Sequence, residues 1–355
     1  MKNKPRLIAF YLPQYHPIPE NDKWWGKGFT EWSTVARARP LFRGHYQPRI
    51  PRDTGFYDLR LPEARFLQAE LARSHGIEGF CYWHYWLGDG KRLLERPFNE
   101  VLKSGEPDFP FCLGWANHTW KGVFFGAGGE TLIEQKYPGI EDYKAHFDAL
   151  LPAFLDDRYI TVAGKPLFFI YDPMAINDLR MVIETWRGLA HKFGLKGLHI
   201  VGGGLPVELA KKYDIDGVAN PRHRRIEKLW AKNRHISAFL NLRRRIIRKP
   251  LVYEYKKAMK YFLTSGPLLN EEYPVIVPGW DSTPRLGCRG VVLKDSTPEL
   301  FRTHVREAFQ KTAHKTYEDR LIFIKSWNEW AEGMYLEPDV ENKDLTLKAL
   351  RRAID

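Results

Sequence analysis

Glu329, Glu332 and Glu337 lie among Trp327, Trp330 and Tyr335 in the run IFIKSWNEWAEGMYLEP (322–338). Paired carboxylates under aromatic rings are what glycosidic-bond chemistry needs: one group moves protons, the other attacks or stabilises a cationic carbon. Glu329 and Glu332 are three residues apart, so a helical turn after Ser326 puts both on one face. A general acid working at neutral pH needs a raised pKa, and a site walled by indoles with a second carboxylate nearby supplies both desolvation and like-charge repulsion. The run begins as an apolar strand, and a buried strand that empties into carboxylates and indoles reads as the C-terminal end of a barrel strand, where catalytic groups sit. A solvated acidic loop is the plainer alternative.

The rest of the chain must position that pair. Apolar runs predict strands over 6–12, 79–86, 109–115, 166–171, 198–201, 217–220, 273–280 and 321–325. Helical patterns fall between them over 62–74, 91–103, 141–156, 178–193, 206–213 and 298–313. In 62–74, Leu67 and Leu71 supply the four-residue spacing. Eight strands alternating with helices predict an α/β fold, a (β/α)8 TIM barrel, as one catalytic domain over 1–355. The first connection, 14–58, is rich in Pro, Gly and Trp and has no clear period. A loop this long inside a compact domain is usually functional.

The strand ends carry a common chemistry. They offer Tyr11, Gln14 and His16; Trp83 and His84; Trp115, Asn117 and His118; Asp172; Trp280 and Asp281; and Asn328 and Trp330 beside the Glu pair. Glu31 and Trp32 from the first loop and Tyr335 complete the set expected to bind substrate. Ten of the twelve Trp lie at these ends or in the first loop. A core draws Leu, Ile and Val instead, with Trp only where its N–H finds a partner. Indoles interleaved with Asn, Asp, His and Glu suit a sugar, whose C–H faces stack on rings while its hydroxyls bond amides and carboxylates. Ordinary packing is the competing explanation for any single Trp.

Other chemistries have weaker support. His16, His84 and His118 lack a metal-binding spacing such as HExxH, so no metal and no cofactor is expected. Gly202-Gly203-Gly204 matches neither phosphate-loop pattern, and no GxSxG elbow is present. Cys81, Cys112 and Cys288 are too few and too scattered for a disulfide or zinc framework. The N-terminus has no signal-peptide core, and no stretch approaches the ~20 apolar residues of a membrane span, so a cytoplasmic location is expected.

The net charge of +12 is local. Residues 222–260 carry fourteen Lys and Arg against Glu227 and Glu254, which leaves the remainder neutral. The segment, taken as 222–263, reads as a basic helical insertion between strands six and seven, divided by Pro250 into two predicted helices. Trp230, Phe239, Leu240, Ile246, Tyr253, Tyr255, Met259 and Phe262 are threaded through it. Cationic faces opposite such residues describe a helix lying on an anionic bilayer, which would make the protein peripheral at the cytoplasmic membrane. Packing on the barrel is the plainer alternative. Nucleic acid is not expected, because the rest of the chain is neutral and carries a sugar site.

The stretches FYLPQYHPIPENDKWWGKGFTEW (10–32), FCYWHYW (80–86), FCLGWANHTW (111–120), LIEQKYPG (132–139), VPGWDSTPR (277–285) and SWNEWAEGMYLEP (326–338) together resemble the WbsX-type family, also described as glycoside hydrolase family 99-like. The resemblance runs in order over nearly the whole chain. It implies a (β/α)8 barrel acting on carbohydrate, commonly in bacterial surface-polysaccharide synthesis, either the O-antigen of lipopolysaccharide biosynthesis or capsule. Members are often labelled glycosyltransferases. Their relatives, the family 99 endo-α-mannosidases, are retaining enzymes with a paired-Glu motif, NEWxEG, that Asn328–Gly333 matches. By this resemblance Glu329 deprotonates the sugar 2-hydroxyl, giving a 1,2-anhydro intermediate. Glu332 protonates the leaving oxygen and later activates water. The expected partner is an oligosaccharide or a lipid-linked glycan. Three functions follow: a glycoside hydrolase or transglycosylase, a glycosyltransferase using an activated sugar, and a non-catalytic glycan-binding barrel.

Overall fold

The computed structural model describes residues 4–122, 129–222 and 247–355. Eight parallel strands form a nearly closed barrel: β1 Arg6–Tyr11, β2 Gly79–Trp86, β3 Phe111–Trp115, β4 Lys165–Ile170, β5 His199–Gly202, β6 Gly217–Ala219, β7 and β8 Leu321–Ile324. β7 comes in two pieces, Glu272–Tyr273 and Val275–Ile276, separated by Pro274. The first piece pairs with β6 and the second with β8. The chain ends meet where β1 pairs with β8, Arg6 opposite Leu321. β1, β2, β3 and β8 are buried along their whole length, the continuous apolar reading that parallel strands give when both faces are covered.

The helices of the outer layer are α3 Pro62–Ser74, α4 Arg96–Ser104, α5 Ile140–Phe154, α6 Leu179–Lys192, α7 Val207–Lys212, α8 Pro298–Thr312 and α9 Leu345–Ile354. α3 has the expected bounds but buries a different face. Arg65, Gln68, Ala69 and Ala72 point inward, and Leu67 is exposed. α4 starts later than the spacing predicts, because Arg92–Leu93 turns back as a short antiparallel strand on Tyr85 and Trp86.

The first connection is not structureless. It holds α1 Pro19–Trp25 and α2 Glu31–Arg37, each of seven residues and too short to show a period. The second helix expected after Pro250 is corrected. Leu251–Glu254 is a strand paired in parallel with Val291–Lys294, followed by a single turn, Tyr255–Ala258. Tyr253, Tyr255, Met259 and Phe262 pack in a small core with Val277, Trp280, Leu293 and Met334, so they face the barrel and not a bilayer. Residues 223–246, the other part of the expected insertion, lie outside the described residues. No helix among the described residues is long and apolar enough to cross a membrane.

Candidate active site

Beyond β8 the chain makes a small ribbon, Asn328–Glu329 against Met334–Tyr335, closed by one 3-10 turn, Trp330–Glu332. The helical turn expected after Ser326 thus starts later, with Glu329 at the residue before it and Glu332 at its end. Gly333 ends it at φ +60°, and a Cβ there would come within 2.8 Å of the Asp281 Cβ, so only glycine fits. The ribbon is pinned from behind. Asn328 accepts from the Leu12 amide (2.7 Å) and donates to the Leu12 carbonyl (3.0 Å). Trp330 donates to Glu337 (2.6 Å), which also accepts from Tyr57 (2.8 Å) and Gln68 (2.7 Å). Burial pushes the Glu337 carboxyl up to about 7.

Glu329 and Glu332 line a cleft of about 650 Å³ with Gln14, Trp25, Trp83, Tyr85, His118, Trp120, Tyr171, Trp280 and Arg285 in its wall. Glu329 is buried, and among the described residues one of its carboxyl oxygens has no hydrogen-bond partner. Desolvation, and then repulsion from Glu332, pushes its carboxyl up to about 7. Arg285 donates to Glu332 through Nη1 and to buried Glu31 through Nε (2.8 Å) and Nη2 (2.6 Å). The two carboxylates hold this guanidinium well above its ordinary value despite its burial. Arg285 rides on the turn Thr283–Leu286, which Asp281 anchors by accepting from the Thr283 amide (3.0 Å) and hydroxyl (2.6 Å). Asp281 in turn is held by His45 and Gln47, each at 2.7 Å, which ties the first loop to the connection after β7, and its carboxyl lies below the usual range.

A second chamber of about 590 Å³ adjoins the first, and the two share Trp83, Tyr171 and Lys325. Asp172, Glu208, Asn220 and Arg222 face it. Gly203 belongs to its wall, and a Cβ there would meet the Tyr171 carbonyl oxygen at 2.5 Å. Among the described residues no group of three His, Cys, Asp or Glu side chains could hold a metal ion.

Of the residues expected to bind substrate, the structure brings Gln14, Trp83, His118 and Trp280 to the carboxylate cleft and Asp172 to the second chamber. The others stand behind these walls. Tyr11 donates to Gln68 (2.6 Å), His16 contacts the Pro13 carbonyl, and Trp32 donates to the Tyr57 carbonyl (2.8 Å). His84 faces His146 at 2.9 Å, and burial pushes His84 down to about 3. Trp115 donates to the Trp86 carbonyl, and Asn117 bonds the Asp172 backbone. Tyr335 stacks on Trp330 at 3.8 Å and donates to Asp339. Glu31 and Asp281 act on Arg285 and its turn, and Asn328 and Trp330 hold the ribbon. Sequence reasoning missed Arg285 and Lys325. Lys325 directly follows β8 and Arg285 lies on the turn after β7, and each could have been found as the counter-charge that a buried Glu pair demands.

The sequence profile of the family described as Glycosyltransferase WbsX matches residues 7–350. Proteins described as uncharacterized protein WxcX from two strains of Xanthomonas campestris pv. campestris, B100 and ATCC 33913, are each 35% identical over 363 residues, covering 98% of this chain and 50% of their own length. The chain thus spans about half the length of these curated relatives. Among solved structures, a glycoside hydrolase-like protein superposes with a TM-score of 0.57 at 16% identity, over 99% of this chain and 94% of its own. The GH99 endo-alpha-mannosidase from Bacteroides thetaiotaomicron does so with a TM-score of 0.56 at 15% identity, over 98% of this chain and 95% of its own. These likenesses show a shared TIM-barrel-like fold.

Proposed function

This chain belongs to the WbsX glycosyltransferase family, and on that premise we propose that its cleft makes or breaks an α-glycosidic bond with retention, through Glu329 and Glu332. The observation that carries the reading is Glu329 itself: buried in the wall of a cleft, with one carboxyl oxygen unpartnered among the described residues, beside a second carboxylate, and pushed up to about 7. A base poised near the working pH combines the right protonation state with driving force. Glu329 takes the proton of the sugar 2-hydroxyl, and Glu332, on the same turn, serves the leaving oxygen. Trp83 and Trp280 supply flat apolar surface for a sugar ring. The natural partner is an oligosaccharide or lipid-linked glycan of surface-polysaccharide assembly. Transfer from an activated sugar is the second reading, favoured by the family's description.

The test is a product assay with α-linked oligosaccharides run in parallel with nucleotide sugars. Glu329→Gln and Glu332→Gln should each lose turnover by at least about a hundredfold while the fold and glycan binding persist, because the amide keeps shape but moves no proton. Wild-type turnover in either variant removes that residue from the chemistry. Binding without turnover in the wild type leaves a glycan-binding barrel.

A further inference from the structure

We propose that Lys325 is a specificity residue that selects a glycan carrying an oxyanion, a carboxylate or a phosphate, at the waist between the two chambers; this rests on reading the cleft as a glycan site. Lys325 is 8% exposed, yet it lines both chambers. Among the described residues its ammonium group makes no hydrogen bond or salt bridge, although it acts electrostatically on Glu329. The Lys325 stem is buried while its ammonium is open to the waist between the chambers, so an anionic group held there can pair with it at close range.

The surroundings fix where the anion sits. Arg285, Arg289 and Lys121 line the same cleft as Lys325, against Glu329 and Glu332. Asp172, Glu208 and Glu272 face the second chamber; Arg222 there pairs with Glu272 (3.4 Å), which leaves Asp172 and Glu208 to repel an anion. The balance of charge therefore favours an anion on the carboxylate-pair side of the waist. Trp83 lies beside Lys325 in both walls, with one face covered by Phe10 in a stack at 4.7 Å. A sugar ring resting against Trp83 would turn an acidic substituent toward Lys325. Two sources supply such an oxyanion: a hexuronate within the glycan, or the diphosphate of an activated sugar.

Equilibrium binding decides. The probes are an oligosaccharide with an α-linked hexuronate, its carboxyl-reduced counterpart, and uridine diphosphate, each titrated into wild-type protein, Lys325→Met and Lys325→Arg. The Met variant is close in volume and apolar, and its thermal unfolding is checked first. The expected result is that the wild type prefers the uronate over the neutral glycan by at least about tenfold, the strength of a charged hydrogen bond. Met loses that preference with neutral binding intact, and Arg restores part of it. If instead the diphosphate alone binds in a Lys325-dependent way, the oxyanion is that of an activated sugar, and the proposal stands in that form. Equal binding of acidic and neutral glycans, with diphosphate binding unaffected by Met, overturns the proposal and leaves the Glu-pair reading intact. So does a Met variant that keeps the preference and changes only the pH dependence, since Lys325 would then serve Glu329 alone. Failure of both glycans and of the diphosphate to bind overturns this proposal together with the glycan site itself.

Discussion

Arg285 carries two carboxylates on one guanidinium, and Glu31 depends on it more than Glu332 does, being almost fully buried. Removing one partner of a buried ion pair leaves an uncompensated charge. Arg285→Met should therefore destabilise the protein by about 3–5 kcal/mol in chemical denaturation, and adding Glu31→Gln should recover much of the loss. The same variant removes a cation that lowers Glu329. The Glu329 titration, followed by isotope-edited NMR or by the pH profile of turnover, should then move above its present value near 7. At this scale the Glu pair was legible because NEWAEG is a compact local pattern. Arg285, Glu31 and Asp281 were read as a motif fragment or as sugar ligands, since their true partners lie some 47, 254 and 236 residues away in sequence.

Elements show why the first connection is so long. It wraps the back of the site, where Tyr57 and the α3 residue Gln68 converge with Trp330 on Glu337. The Glu337 carboxyl makes stability depend on pH. The folded value, near 7, lies above the ordinary carboxyl value of 4.5, so the folded state binds the extra proton and stability falls as pH rises from about 4.5 to 7. Buried His84, His146 and His304, held neutral, pull the opposite way as pH rises toward 6.5, so the useful quantity is a difference between variants. Glu337→Gln removes the proton cost but sets its amide N–H against the Gln68 amide. Its stability penalty relative to wild type should be largest near pH 4 and smaller by roughly 3 kcal/mol at pH 8. Gln68→Glu in the same protein should relieve the donor clash. Urea unfolding at the two pH values checks both. Strands were legible because buried parallel runs are continuous. The helices α1 and α2 were not, being short, and the Leu251–Glu254 strand was hidden by the basic charges around it.

For the whole molecule, the charge of +12 still rests on 222–260, of which 251–260 folds against the barrel. The proposal of a membrane-facing surface therefore narrows to the residues before Pro250. Wild-type protein should co-sediment with anionic liposomes at low salt and not with neutral ones, and changing Arg243, Arg244, Arg245 and Arg248 to Gln should abolish this. Protein that stays in the supernatant with anionic liposomes at low salt ends the membrane idea. The barrel itself was legible from the alternation of patterns. Its closure was not, because a strand read as one run over 273–280 divides at Pro274, whose ring has no N–H to give a neighbour.

That division gives the barrel a seam. β2 and β3 share five residue pairs in register, while each half of β7 shares two with its one neighbour, as β5 and β6 do. Cooperative structure opens first where it is held by the fewest bonds, so the wall should breathe between β6 and β8. The Lys325 amide is one of the bonds across that line, donating to the Ile276 carbonyl at 2.9 Å. A ligand gripped by the Lys325 side chain would therefore act as a rivet beside this thinly held part of the ring, and occupancy of the waist and slowing of the wall's fluctuations become one event.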